Sequence, residues 1–263
     1  RQPEHNLKEI VFTPIANPAT RVAALLSGEV DVIEPVPVQD IERVKASPNA
    51  TVLTGPELRT LFVGMDQARD ELLYSNIKGK NPFKDIRVRE AFYKTIDVDL
   101  IKTRVMRGMS TPSTLMIAPE LYPLSKEFTR PKLDPEGAKK LLADAGYPNG
   151  FSFKVQVCSC SPDHMDLLPL VAAYLEQVGV KIEIQPMEYG AFLSAMTTKT
   201  NAAGYFMLNG HTNPTTTLRK SFVTKQTWNP SQFSDPDIDR KMNEAYQEQD
   251  EGKRQAMLKE MTR

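Results

Sequence analysis

The stretch from Phe151 to Ile184 limits the fold more than any other part of this chain. Phe151, Phe153, Val155 and Val157 alternate with Ser152, Lys154 and Gln156, the period of a half-buried strand. Leu167, Leu170, Val171, Tyr174, Leu175 and Val178 then recur at intervals of three and four, and Gly179 is placed to end that helix in a left-handed turn. Alternation returns with Val180, Ile182 and Ile184. Strand, helix and strand at this spacing predict a βαβ unit, which is almost always parallel and right-handed, so the fold class is α/β. A helix over 189–198 ("YGAFLSAMTT") and a strand over 203–208 ("AGYFML") extend the pattern.

Ligands of open α/β sheets bind beyond the carboxyl ends of the strands. Two polar loops are expected there, "CSCSPDH" (158–164) and "NGHTNPTTT" (209–217), opening on one edge. They nominate Cys160, Ser161, Asp163 and His164 from the first loop, and Asn209, His211 and Asn213 from the second. Cys158 and Cys160 project from one side of an extended segment with Asp163 and His164 close behind, and soft thiolates with imidazole could hold zinc, nickel or copper. Against this, Cys-x-Cys is shorter than the usual spacing of structural zinc ligands. A packed reduced pair and a disulfide remain open, the latter working against the roughly 6.6 Å that separates i and i+2 in a strand. No metal ligand set is assigned and no cofactor is expected.

The rest of the chain reads as scaffold. Residues 9–13, a short run after Gly28, 51–53 and 60–63 look like strands, with a helix opened by Asn17 and Pro18 between them. That first segment holds too little apolar surface for an independent core. A helix capped by Asp85 buries Val88, Ala91, Phe92 and Ile96. Asp97 opens another, with Leu100, Ile101 and Val105 expected to face inward, and Asp134 and Pro135 open a third that Gly146 closes. Met187, Met196, Met207 and Met242 read as core filling.

Thirty-three basic and 33 acidic residues are interspersed, so nucleic acid and anionic membranes are not expected partners. No apolar run approaches the roughly 20 residues that cross a bilayer. Without an initiating Met or a leader pattern, the sequence reads as a mature or excised piece of a longer protein. Phosphate-loop, H-E-x-x-H, G-x-S-x-G and dinucleotide-turn motifs are absent, and only three histidines could serve a triad, so an enzyme is not expected.

The ordered set "RVAALLSGEVDVIEPV", "FKDIRVREAFYKTIDVDLI", "DPEGAKKLLADAGYPNGFSFKVQV", "YLEQVGVKIEIQPMEYGAFLSAM" and "FSDPDIDRKMNEAYQEQDEGKRQAMLKEM" resembles the extracytoplasmic solute-binding proteins of the dipeptide, oligopeptide and nickel ABC-importer family over nearly the whole chain. The resemblance implies a two-lobed, periplasmic-binding-protein type II-like architecture that closes over a solute by hinge bending. It makes residues 1–63 part of the first lobe, ending at the hinge, and 64–263 most of the second. It further implies a signal peptide already removed and a monomer in the periplasm or anchored at the cell surface. That monomer would bind a peptide or similar small molecule and deliver it to a membrane permease. A metal or metal-chelate solute is the alternative within the family; a hydrolase, or a receptor or chaperone lobe that binds protein, is the alternative outside it. The resemblance adds Tyr205 and Trp228 as stacking surfaces, with Trp228 equally able to pack under its own loop "TKQTWNPSQF". Peptide-binding relatives commonly carry an aspartate shortly before an Asp-Pro pair, where it meets the ammonium of the peptide. Here Asn209, Gly210 and Asn213 stand in that stretch, which favours an uncharged or otherwise substituted solute.

Overall fold

Parallel pairing of two buried strands sets the architecture of the larger part of the molecule. The computed structural model describes residues 6–160, 162–201, 204–210 and 213–262. Four strands, β1 (Arg59–Met65), β2 (Phe151–Cys158), β3 (Val180–Met187) and β4 (Gly204–Gly210), form one sheet in the order β1-β4-β2-β3. β2 runs parallel to both β3 and β4, with Phe151 opposite Val180, Cys158 opposite Met187 and Val155 opposite Gly204. The predicted βαβ unit is therefore present. β1 alone is antiparallel, and its register sets Arg59 opposite Gly210.

The start of the β2–β3 pair depends on two glycines. Gly150 and Gly179 have φ of +67° and +84°, and a Cβ on Gly150 would stand 2.0 Å from the carbonyl oxygen of Gly179. The chains can come this close only because neither carries a side chain.

Side chains alternate across the sheet as the strand period requires. On one face, Phe151 and Phe153 of β2 meet Phe83 and Phe92, the latter carried by α3 (Ile86–Thr95), with the Phe83 and Phe153 ring centroids 5.0 Å apart. Asp85 caps α3 by accepting from the Arg87 N–H at 2.9 Å, and the Arg87 guanidinium donates to the carbonyl of Asp144 at 2.7 Å. That bond ties α3 to α5 (Pro135–Asp144), so the charges of this helix serve as scaffold. The crossover helix α6 (Pro162–Glu176) joins β2 to β3. On the other face, Cys158 and Tyr205 pack with Phe192, Ala195 and Met196 of α7 (Tyr189–Thr198). A second cluster gathers Leu218 from α8 (Pro214–Phe222), Met242 and Ala245 from α9 (Pro236–Gln247) and Leu258 from α10 (Glu251–Met261) around Tyr122. Met196 and Met242 are core filling, as read from sequence.

Several local expectations need correction. Residues 9–13, the run after Gly28 and 51–53 form no strand, and Phe12 and Leu53 are 89% and 90% exposed. A strand needs a ladder partner, and no described residue pairs with them. Between them lie α1 (Pro18–Ser27), capped by Asn17 and ended by Gly28 at φ +79°, and α2 (Ile41–Lys45). Leu100 is exposed because α4 (Val98–Leu100) passes at once into a wider π turn, Ile101–Val105, which changes the face presented.

The chain divides into two compact units, Arg1–Gly55 with Met106–Met109, and Pro56–Val105 with Ser110–Arg263. This division falls earlier than the expected boundary at 63, because β1 pairs along its whole length with β4. Among the described residues no helix is long and apolar enough to cross a membrane.

Candidate functional site

Four strand ends share one edge of the larger unit: the carboxyl ends of β2, β3 and β4 and, by antiparallel pairing, the start of β1. From β2 the chain turns through Ser159 and Cys160 and enters α6 with Asp163 and His164 in its first turn. From β4 it leaves beyond Asn209 and Gly210 and re-enters the described structure at Asn213, which caps α8 by accepting from the Thr216 N–H at 3.2 Å. Ser161 and His211 lie outside the described residues, and for Asn209 the description is confined to the backbone, which pairs with Thr60.

Cys158 and Cys160 are joined by a disulfide, with Cα atoms 5.2 Å apart. The strand spacing weighed against this bond does not apply, because β2 ends at Cys158 and the chain turns immediately. Ser159 fastens the turn to β3: its backbone N–H and its hydroxyl both donate to the carbonyl of Met187, at 2.9 and 3.0 Å.

His164 is 4% exposed, and neither ring nitrogen has a hydrogen-bond partner among the described residues. Its ring stands edge-on to Phe206 of β4. Burial, and secondarily the charge of Arg59, lower its pKa from the usual 6.5, so at neutral pH it is an uncharged imidazole with one donor and one acceptor unused. Crowding by nearby protein pushes the Asp163 carboxyl upward, and Arg59 opposes this. Solvent still reaches Asp163. Arg59 also pairs with the carboxylate of Glu57.

Arg59 is the residue that local sequence patterns miss. It opens a short strand far from either loop, and only the long-range pairing of β1 with β4 carries it to this edge.

The two aromatic candidates lie elsewhere. Tyr205 is 2% exposed, with its ring against Phe62 and the α7 cluster. Burial drives its phenol pKa far upward, opposed by hydrogen bonding to Ser231. It is core rather than an open stacking surface, because Phe62 of β1 and Phe192, Ala195 and Met196 of α7 close over the ring. Trp228 is 39% exposed. That loop is held at the start of β4: Lys199 Nζ donates to the Gln226 carbonyl at 3.0 Å, and the Gln67 N–H to the Ser231 carbonyl at 2.9 Å. The loop that carries Trp228 thus sits at the amino end of β4, with Gly210 and its partner Arg59 at the other end of a strand of seven residues.

Among the described residues no group of three or more His, Cys, Asp or Glu could hold a metal ion. Among the described residues this edge thus carries a buried imidazole without a hydrogen-bond partner and, near it, the Arg59 cation. The architecture is that of the two-lobed periplasmic binding proteins, of which this chain covers about half.

The chain belongs to the bacterial extracellular solute-binding proteins, family 5, whose model matches residues 1–233. Membership places it outside the cytoplasm. The glutathione-binding protein GsiB of Shigella flexneri is 28% identical over 185 residues, 70% of this chain and 34% of that protein. Periplasmic binding protein DppA from Helicobacter pylori, solved with the peptide STSA, superposes with a TM-score of 0.82 at 22% identity, over 94% of this chain and 47% of that one. NikA from Staphylococcus aureus, solved with Ni(L-His)2, gives 0.78 at 17%, over 94% and 51%. The chain thus spans about a third to a half of the length of these relatives.

Proposed function

We propose that the complete protein binds a peptide or peptide-like small molecule outside the cytoplasm, delivers it to the permease of an ABC importer, and does not turn it over. The observation that carries this reading is His164, whose two ring nitrogens are buried without partners among the described residues at a sheet edge shared with Arg59. Leaving such groups unpaired costs about 1–3 kcal/mol, a cost that an incoming ligand removes. An imidazole N–H and a guanidinium suit the carboxylate or amide oxygens of a peptide. Names and titles among the relatives agree, since one is called glutathione-binding and another was solved with a peptide. In this reading residues from Pro56 onward supply one lobe's half of the site, and the monomer is the working unit.

A metal chelate is the second reading, favoured by the free imidazole lone pair and by the relative solved with Ni(L-His)2. With no three-ligand group among the described residues, the metal would arrive already complexed. Native mass spectrometry of the gently purified complete protein, followed by calorimetry against peptides, S-methylglutathione and Ni(L-His)2 beside a turnover assay, separates the readings. Product formation that depends on His164 would overturn both.

A further inference from the structure

The disulfide occupies the joint between the sheet and the loop that carries His164. Cys158, the last residue of β2, is buried with Phe192, Met196 and Tyr205, whereas Cys160 is exposed. The Cys160 N–H donates to Cys158 Sγ at 3.2 Å, and Ser159 between them holds the Met187 carbonyl. One residue, 161, then separates this closed turn from Pro162, where α6 begins.

A disulfide that stabilises a fold through the unfolded chain does so by an amount that grows with the logarithm of the loop length it closes. This one encloses a single residue, so that contribution is near its minimum. Its effect is local: it fixes the backbone of the turn where the core cluster meets the first turn of α6.

We propose that the Cys158–Cys160 disulfide is a positioning element of the solute site, holding the 158–160 turn so that His164 stays over Phe206 at the edge shared with Arg59. The inference rests on the solute-binding reading of that edge. With the bond open, no covalent link closes the turn and the Ser159 bonds to Met187 and the Cys160 N–H bond to Cys158 Sγ are left to hold it; the start of α6 shifts, and water reaches the imidazole nitrogens.

Opening by dithiothreitol is a balanced exchange. A thiolate of the reagent attacks the exposed Cys160 Sγ, and Cys158 leaves as a thiolate and takes a proton. The second reagent thiol then displaces Cys160, giving two protein thiols and the cyclic reagent disulfide, with two electrons and two protons transferred.

The test compares the oxidised complete protein, the same protein after dithiothreitol, and the variant Cys158→Ala/Cys160→Ser. The His164 imidazole signal is assigned in proton spectra by its loss in His164→Gln. In the opened forms this signal and its titration midpoint are expected to move toward those of free histidine, and to return when the reduced protein is reoxidised. The thermal midpoint should change by no more than about 2 °C. Affinity for S-methylglutathione, which has no thiol to exchange, should fall about tenfold. An unmoved His164 signal overturns the proposal, as does a moved signal with unchanged S-methylglutathione affinity. If the oxidised protein binds no probe while the signal moves, positioning of His164 is supported and the peptide-like reading of the solute fails.

Discussion

The His164 ring stands edge-on to Phe206, with 5.5 Å between centroids and 77° between planes, and neither of its nitrogens is hydrogen-bonded among the described residues. A polar group kept this way weakens the fold at its own position, so replacing it should separate stability from binding. His164→Leu is expected to leave unfolding stability unchanged or raised by up to about 1–2 kcal/mol, because an apolar side chain there has nothing to leave unpaired. Solute affinity should fall by about 1–3 kcal/mol. Denaturant unfolding and calorimetry on the same preparations check both. A loss of stability of about 2 kcal/mol or more would mean that the imidazole has a structural partner.

The same burial gives stability a pH dependence of known sign. In the unfolded chain His164 titrates near 6.5, and in the folded protein lower, because burial and then Arg59 disfavour the imidazolium. Above about pH 6.5 both states are neutral and the contribution is complete. As pH falls below that value the unfolded chain takes up the proton first, so stability drops until the folded-state pKa is passed. The parent protein should therefore lose more stability than His164→Leu between about pH 7.5 and 5.5. Asp163, His5 and His211 are common to both proteins. Equal losses would show that His164 is protonated as readily folded as unfolded.

How far the sequence disclosed this molecule follows from the range of its interactions. The βαβ unit was legible because its two periods are local and its glycines sit at the ends of its elements. Gly179 ends the helix with φ of +84° and at the same time lies against Gly150, where β2 begins. The extended runs at 9–13 and 51–53 were misread because a strand is completed by its neighbour, and no described residue is theirs. At the site, His164 could be named as a polar residue just past a strand. Arg59 could not, since it arrives through the pairing of β1 with a strand about 150 residues later. Tyr205 was misplaced for a related reason: an aromatic in an isolated strand pattern carries no sign of whether a fourth strand will cover it.

Gly150 offers a direct test of the sheet. Alanine there would carry its Cβ to 2.0 Å from the Gly179 carbonyl oxygen while forced to keep φ near +67°. The obstacle is backbone and cannot rotate away, so overpacking and the left-handed conformation act together. Gly150→Ala should cost roughly 2–4 kcal/mol of stability by denaturant unfolding. Gly28→Ala, at φ +79° with nothing within 4 Å, should cost only about 1 kcal/mol. Similar losses in the two variants would indicate that β2 and β3 do not start in contact at these glycines.

Trp228 tests which edge of the sheet meets the solute. Its exposure of 39% alone would make it a natural stacking surface. Its surroundings place it otherwise: Asn201, just before β4, donates to the Pro230 carbonyl at 3.4 Å, and the Lys199 bond to Gln226 holds the other side of the loop. These contacts fix the loop at the amino end of β4, whose length at roughly 3.3 Å per residue separates it by about 20 Å from Gly210 and its partner Arg59 at the other end. A ligand that runs from His164 toward Arg59 leads away from that loop. Trp228→Ala should therefore leave affinity for a bound peptide within about twofold, well under 1 kcal/mol. His164→Leu in the same assay should weaken it about tenfold or more. If the order is reversed, with Trp228→Ala the more damaging change, the solute is recognised at the amino end of β4 and the carboxyl edge is not its site.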